Sequence, residues 1–279
     1  MRSNNPVFSN GAFAGGAAQR SPYASPYPSP QHGGGTADDL QALYDAPAAG
    51  PLQTRRMTLD DVVMKTAAMF AVLLVTAGAA WVLTPTVPVL PFVGMIGGLV
   101  LGLVIVVKRS TNPALHLTYA ALEGLLVGGI SQVFQTYVAA SGSDSNVVAQ
   151  AVIGTLSAFT AMLVLNRIGV LKATPRFTKM LLIAMGGYLV LALASFVSSF
   201  FGVGDGFGFY GTGLGLLLSV AGVALASFSL VLDFDSIEAG IRAGVPEKQA
   251  WLAAFGLVVT LVWLYLELLR LLAILQGRE

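Results

Sequence analysis

Between Lys65 and Lys108 the chain carries no charged side chain, and nothing else in the sequence restricts its fold as much. A bilayer core about 30 Å thick takes roughly 20 helical residues per crossing. The uncharged stretch is long enough for two crossings, and Pro85, Pro88 and Pro91 mark the turn between them. Further apolar runs follow, so that spans are expected at residues 62–83, 92–107, 113–139, 147–165, 180–201, 211–232 and 251–275. Thr58 or Asp60 is placed to cap the first. Composition agrees, with 10% charged residues and a mean hydropathy of +0.76, where a soluble domain carries about 25% charged residues. The fold class is an all-α integral membrane protein with seven transmembrane helices.

Loop charge gives the orientation expected for those spans, because Lys and Arg concentrate on the cytoplasmic side. With the N-terminus cytoplasmic, the inner segments hold every one of the 15 cationic residues except Arg270 and Arg278. The outer turn at Pro85–Pro91 is uncharged, and the two others hold the single acids Asp144 and Asp205. The C-terminus is then outside. Residues 1–57 form a separate region rich in Pro, Gly, Ser and Tyr, including the repeat Ser21-Pro-Tyr-Ala-Ser-Pro-Tyr-Pro-Ser-Pro30. Too few apolar side chains are present to offset its ordering entropy, so a disordered cytoplasmic tail is expected there. It lacks a signal-peptide apolar core and reads as retained. Residues 58–279 form the seven-helix domain.

The same composition narrows the chemistry. The absence of cysteine removes disulfides, thiolate metal sites and cysteine nucleophiles. Two histidines, His32 and His116, do not make a multi-histidine metal centre. A net charge of +1 without a basic block gives no basis for nucleic-acid binding. No Gly-x-Ser-x-Gly, His-Glu-x-x-His or phosphate-loop pattern occurs. The expectation is a non-enzymatic protein without a cofactor, whose first partner is the lipid bilayer.

Acids in or near spans are costly in hydrocarbon and are the first functional candidates. There are four. Asp233 and Asp235 close the expected sixth span in Leu232-Asp-Phe-Asp-Ser-Ile-Glu238. Positions two apart on a helix point about 200° from one another, so only one of the pair can face a given cavity; the alternative is that both end the span at the interface. Glu123 lies near mid-membrane in the third span, beside Gly124, Gly128 and Gly129, which permit close helix approach. Glu267 is three residues before Arg270 in the seventh span, a spacing for self-pairing near the outer boundary. His116, two helical turns before Glu123, reads as an interfacial histidine rather than a ligand.

Seven spans, the sixth ending Asp233-x-x-x-Ile237 and the seventh carrying Leu268-Leu-Arg-Leu-Leu-Ala-Ile-Leu275, resemble the Bax inhibitor-1 family. Met1-Arg-Ser-Asn-Asn-Pro-Val-Phe-Ser9 and Leu232-Asp-Phe-Asp-Ser-Ile-Glu238 resemble its bacterial YccA-like branch. The resemblance covers residues 58–276. It implies a multi-pass protein of the bacterial plasma membrane whose seventh helix is central, surrounded by the other six. It also implies a pH-sensitive leak with Ca²⁺ as the permeant ion, or restraint of a membrane protease such as FtsH. In the family's leak mechanism an acid on helix six shares protons with an aspartate on helix seven, and a basic residue ending helix two pairs with the helix-six acid.

Carried over residue by residue, the resemblance assigns Asp233 to the helix-six acid and Lys108 or Arg109 to the latch. Aligning Leu268-Leu-Arg270 without gaps places Thr260 where the helix-seven aspartate stands, so the dyad position is lost. Sliding the helix by about two turns matches Glu267 instead. Three consequences stay open from sequence: Asp233 latched by Lys108 or Arg109, Asp235 or Glu123 replacing the missing partner, or a branch that does not conduct.

Overall fold

The computed structural model describes residues 55–170 and 173–277. Seven of its helices are long and apolar enough to cross a membrane: α1 Leu59–Leu83, α2 Leu90–Lys108, α3 Pro113–Ala140, α4 Val147–Arg167, α5 Pro175–Ser199, α6 Gly215–Arg242 and α7 Ala250–Gln276. Local chemistry sets their starts. Thr58 and Asp61 form a capping box: the Asp61 N–H donates to Thr58 Oγ1, and the Thr58 N–H donates back to Asp61 Oδ2 at 3.0 Å. Asn112, Asn146 and Thr174 cap α3, α4 and α5 with side-chain oxygens. Pro113 and Pro175 occupy first helical positions, where a missing N–H costs nothing.

Two expectations are corrected by these boundaries. The sixth span does not end at Leu232 but continues through Asp233 and Asp235 to Arg242. Val231, Phe234 and Ile237 are buried at helical spacing and carry the helix onward. The sixth span also begins at Gly215, because Val203–Gly206 and Gly208–Gly211 form short 3₁₀ turns after α5. Most of the expected tail, residues 1–54, lies outside the described residues. Arg55, Arg56 and Met57, the end of that segment, are described and lie against the turn after α6. Met57 is buried and its N–H donates to the Val245 carbonyl at 2.8 Å.

Lys65 in the second turn of α1 reaches Glu247 just before α7, and His116 near the start of α3 lies against Trp251 near the start of α7. At the other extreme, Gln150 near the start of α4 bonds Gln276, the last residue of α7. One end of the bundle therefore gathers the starts of α1, α3 and α7 and the turn after α6. We call it the basic end, since it carries Arg55, Arg56 and Lys65.

The seventh helix is central and the most deeply buried; α5 is the least buried. Direct neighbours of α7 are α1, α3, α4 and α6, whereas α2 packs on α3 and α5 on α6. Four helices thus pack closely along the central one, while α5 reaches it through the Tyr188 ring against Trp263 and α2 through Gly102 beside Phe255. Two apolar clusters lie on different faces of α7. Ala254, Phe255, Val258, Val262, Tyr265 and Leu269 meet α1, α3 and α4; Ala250, Leu257, Leu261 and Leu264 meet α6 and the start of α1. The tightest approach is α1 on α3, where a Cβ at Gly128 would run into the Ala77 backbone. Exposed Met180, Ile183, Val190 and Leu193 give α5 an apolar outer face suited to lipid.

Candidate functional site

Continuation of α6 past Leu232 carries Asp233 into the seam between α6 and α7. One carboxylate oxygen lies 3.8 Å from the point where a Cβ would stand on Gly256. Thr260, one turn further along α7 and itself buried, lies on the α7 face toward the carboxyl. The other oxygen, Oδ2, is buried and has no hydrogen-bond partner among the described residues. The carboxyl thus lies in the seam beside Gly256 and Thr260 of α7. Asp235 points elsewhere, as helical geometry requires; it is half-buried and makes no ion pair among the described residues.

The latch does not form in this structure. Lys108 and Arg109 are exposed and pair with no acid among the described residues. The physical reason is placement. Among the described residues α2 packs on α3 and, lightly, on α1. It closes at Arg109 in the left-handed conformation, φ 45°.

Glu267 and Arg270 form the expected i,i+3 pair at 2.9 Å, but not at an exposed boundary: Glu267 is 4% exposed. The Trp263 indole N–H donates to Glu267 Oε1 at 3.2 Å. Gly222 on α6 leaves the space the carboxylate occupies, and the Tyr188 hydroxyl from α5 meets the same point. Tyr188 and Tyr210 share a hydrogen bond of 2.8 Å, and the Arg270 guanidinium lies 4.1 Å above the Tyr210 ring. Burial pushes the Tyr210 phenol above its ordinary value, against the pull of the Tyr188 hydroxyl and Arg270. Sequence reasoning missed Tyr188, Tyr210 and Trp263, which are ordinary aromatics in apolar runs until α5, α6 and α7 bring them together.

The remaining candidates lie apart from Asp233. Gly222 and Asp233 are eleven residues apart on α6, or about 16 Å of helix rise, so Glu267 and Asp233 are not brought together. Glu123 sits against Gly98 of α2, where a Cβ would be 3.1 Å from its carboxylate, and Tyr119 one turn earlier faces it. His116, near the start of α3, is fully buried within the protein, with Nδ1 2.8 Å from the Asn112 carbonyl and its ring against Trp251 and Phe255. Trp251 and Phe255 project from a different face of α7 than Gly256 and Thr260. No group of three or more metal-ligating side chains occurs among the described residues.

The model of the Bax inhibitor 1 like family matches residues 5–277. The chain belongs to this family. The match reaches well into the segment before α1, further than the resemblance legible from the spans alone. Comparison with curated proteins and comparison with solved structures each returned no match. For a Bax inhibitor 1 like chain, the two alignments of the seventh helix differ in what they place opposite α6. Thr260 is the residue beside Asp233, while Glu267 belongs to the separate cluster with Arg270. The α7 residue beside Asp233 therefore carries a hydroxyl and not a carboxylate.

Proposed function

We propose that this multi-pass membrane protein of the Bax inhibitor 1 like family passes cations, Ca²⁺ foremost, down their gradient through the α6–α7 seam. Asp233 is the working carboxyl, and the protein works in a bacterial plasma membrane with its basic end in the cytoplasm. One observation carries this reading: the buried Oδ2 of Asp233 has no hydrogen-bond partner among the described residues, in a seam beside Gly256 of α7. Leaving a buried carboxylate oxygen unpaired is costly, and a hard cation or a proton is the partner its chemistry suits. Acid would fill the same oxygen with a proton and compete with the cation, so flux falls as pH drops. No enzymatic activity and no resident cofactor are part of the proposal. The test is Ca²⁺ uptake by proteoliposomes of the purified protein, on either side of neutrality. Uptake above protein-free vesicles that falls on the acid side supports it, and uptake equal to protein-free vesicles removes it.

A second reading rests on Thr260. A hydroxyl opposite Asp233 lacks the second carboxylate of a proton-sharing dyad, which favours a non-conducting chain that modulates a membrane protease such as FtsH. Association of the purified full chain with that protease, together with silent vesicles, would favour this reading over the leak.

A further inference from the structure

The segment before α1 lies along the turn between α6 and α7. The Met57 N–H donates to the Val245 carbonyl at 2.8 Å and the Glu247 N–H donates to the Arg55 carbonyl at 3.0 Å, making one antiparallel bridge between Arg56 and Pro246. Gly244 reverses the turn with φ +66°, and the Arg56 side chain crosses it. Charges then tie the pieces together. Glu247 meets Lys65 at 3.3 Å and Arg55 at 3.4 Å, Lys65 Nζ donates to the Glu247 carbonyl at 3.1 Å, and Asp61 stands 3.6 Å from Arg55.

The Met57 side chain does the rest of the contact. It enters the cluster of Val62, Phe234, Ile237 and Ala250, in space left by the missing side chain of Gly240. Phe234 and Ile237 flank Asp233 on α6, so Met57 fills the seam between Asp233 and the basic end. We propose that residues Arg55–Thr58 are a strap that closes the inner approach to Asp233, with Glu247 as its clasp. The strap's own holding contacts are few: two backbone hydrogen bonds, one methionine, and the ion pairs of Arg55 with Glu247 and Asp61, while Lys65 of α1 holds Glu247 from the other side. The Arg55 side chain is 61% exposed, and pairs of that kind contribute little. A strap held this lightly can open without unfolding the bundle.

This inference rests on Asp233 as the working carboxyl, and its test is chosen to be independent of flux. The chain has no cysteine, so Gly256→Cys places a single thiol beside Asp233, where the nearest atom to the new Cβ among the described residues is the carboxylate oxygen at 3.8 Å. The measurement is the labelling rate of that thiol by a membrane-impermeant methanethiosulfonate, read by peptide mass in vesicles of the full chain. Opening the clasp with Glu247→Gln should speed labelling about tenfold, a shift of about 1.4 kcal/mol in the closed–open equilibrium. Glu247→Asp, which keeps the charge facing Arg55 and Lys65, should keep labelling closer to the slow rate.

Bridged residues in antiparallel pairs have Cα atoms about 4.5–5.5 Å apart, within disulfide range. Arg56→Cys with Pro246→Cys should therefore cross-link on oxidation, slow labelling at residue 256, and release it on reduction. Equal labelling rates in all variants, or no cross-link, overturns the strap. Labelling that follows the strap, with parent-chain vesicles showing no Ca²⁺ uptake, supports the strap and overturns the leak.

Discussion

Glu267→Gln is the most demanding test of the α5–α6–α7 contact. The carboxylate is 4% exposed and holds two donors, Arg270 at 2.9 Å and the Trp263 indole at 3.2 Å. Removing its charge leaves a guanidinium whose side chain is only 26% exposed facing a neutral amide. Breaking a buried ion pair from one side costs about 3–5 kcal/mol. Arg270 keeps some solvent and its stacking on Tyr210, so the lower end, about 3 kcal/mol, applies. At about 2–4 °C per kcal/mol for a chain of this size, the midpoint of thermal unfolding in detergent should fall by about 6–12 °C. The double substitution Glu267→Gln with Arg270→Gln removes both charges and should recover most of that loss, because the cost lies in the orphaned partner and not in a missing bond. A single variant that melts with the parent, or a double variant no better than the single, would refute the reasoning.

Three further substitutions probe separate contacts. Gly128→Val drives a side chain into the Ala77 backbone and should destabilise by about 1–3 kcal/mol or more, read as a lower unfolding midpoint. Ser131→Ala removes the 2.7 Å hydrogen bond to the Tyr265 hydroxyl and should cost about 1 kcal/mol, with Ser131→Thr recovering part of it in the same assay. Gly256→Ala adds a methyl group at ordinary van der Waals distance from Asp233 and replaces a mid-helix glycine, which should stabilise α7 by about 0.5–1 kcal/mol.

The number of spans was legible because hydrophobic runs, prolines and capping residues act over a few positions. Thr58, Asn112, Asn146 and Thr174 cap helices in the structure as such residues do in isolated peptides. The Glu267–Arg270 pair was legible for the same reason, since three residues of helix bring the two together. Facing relations were not. Whether Asp233 ends a span or enters a seam depends on Phe234 and Ile237 finding an apolar partner on α7, which no local pattern states. The burial of His116, one turn from a helix start, was not legible either, because Trp251 and Phe255 come from more than a hundred positions away. Lys108 and Arg109 had the right charge and depth for a latch and lacked only adjacency, since α2 packs on α3.

The central claim is that one carboxyl of the pair in Leu232-Asp-Phe-Asp235 faces the α7 seam and carries the cation. The direct measurement is the initial rate of Ca²⁺ uptake by vesicles containing Asp233→Asn, beside Asp235→Asn. The account predicts a fall of about tenfold or more for Asp233→Asn, equivalent to at least about 1.4 kcal/mol, with Asp235→Asn at the parent rate. Equal rates for both variants and the parent would contradict it.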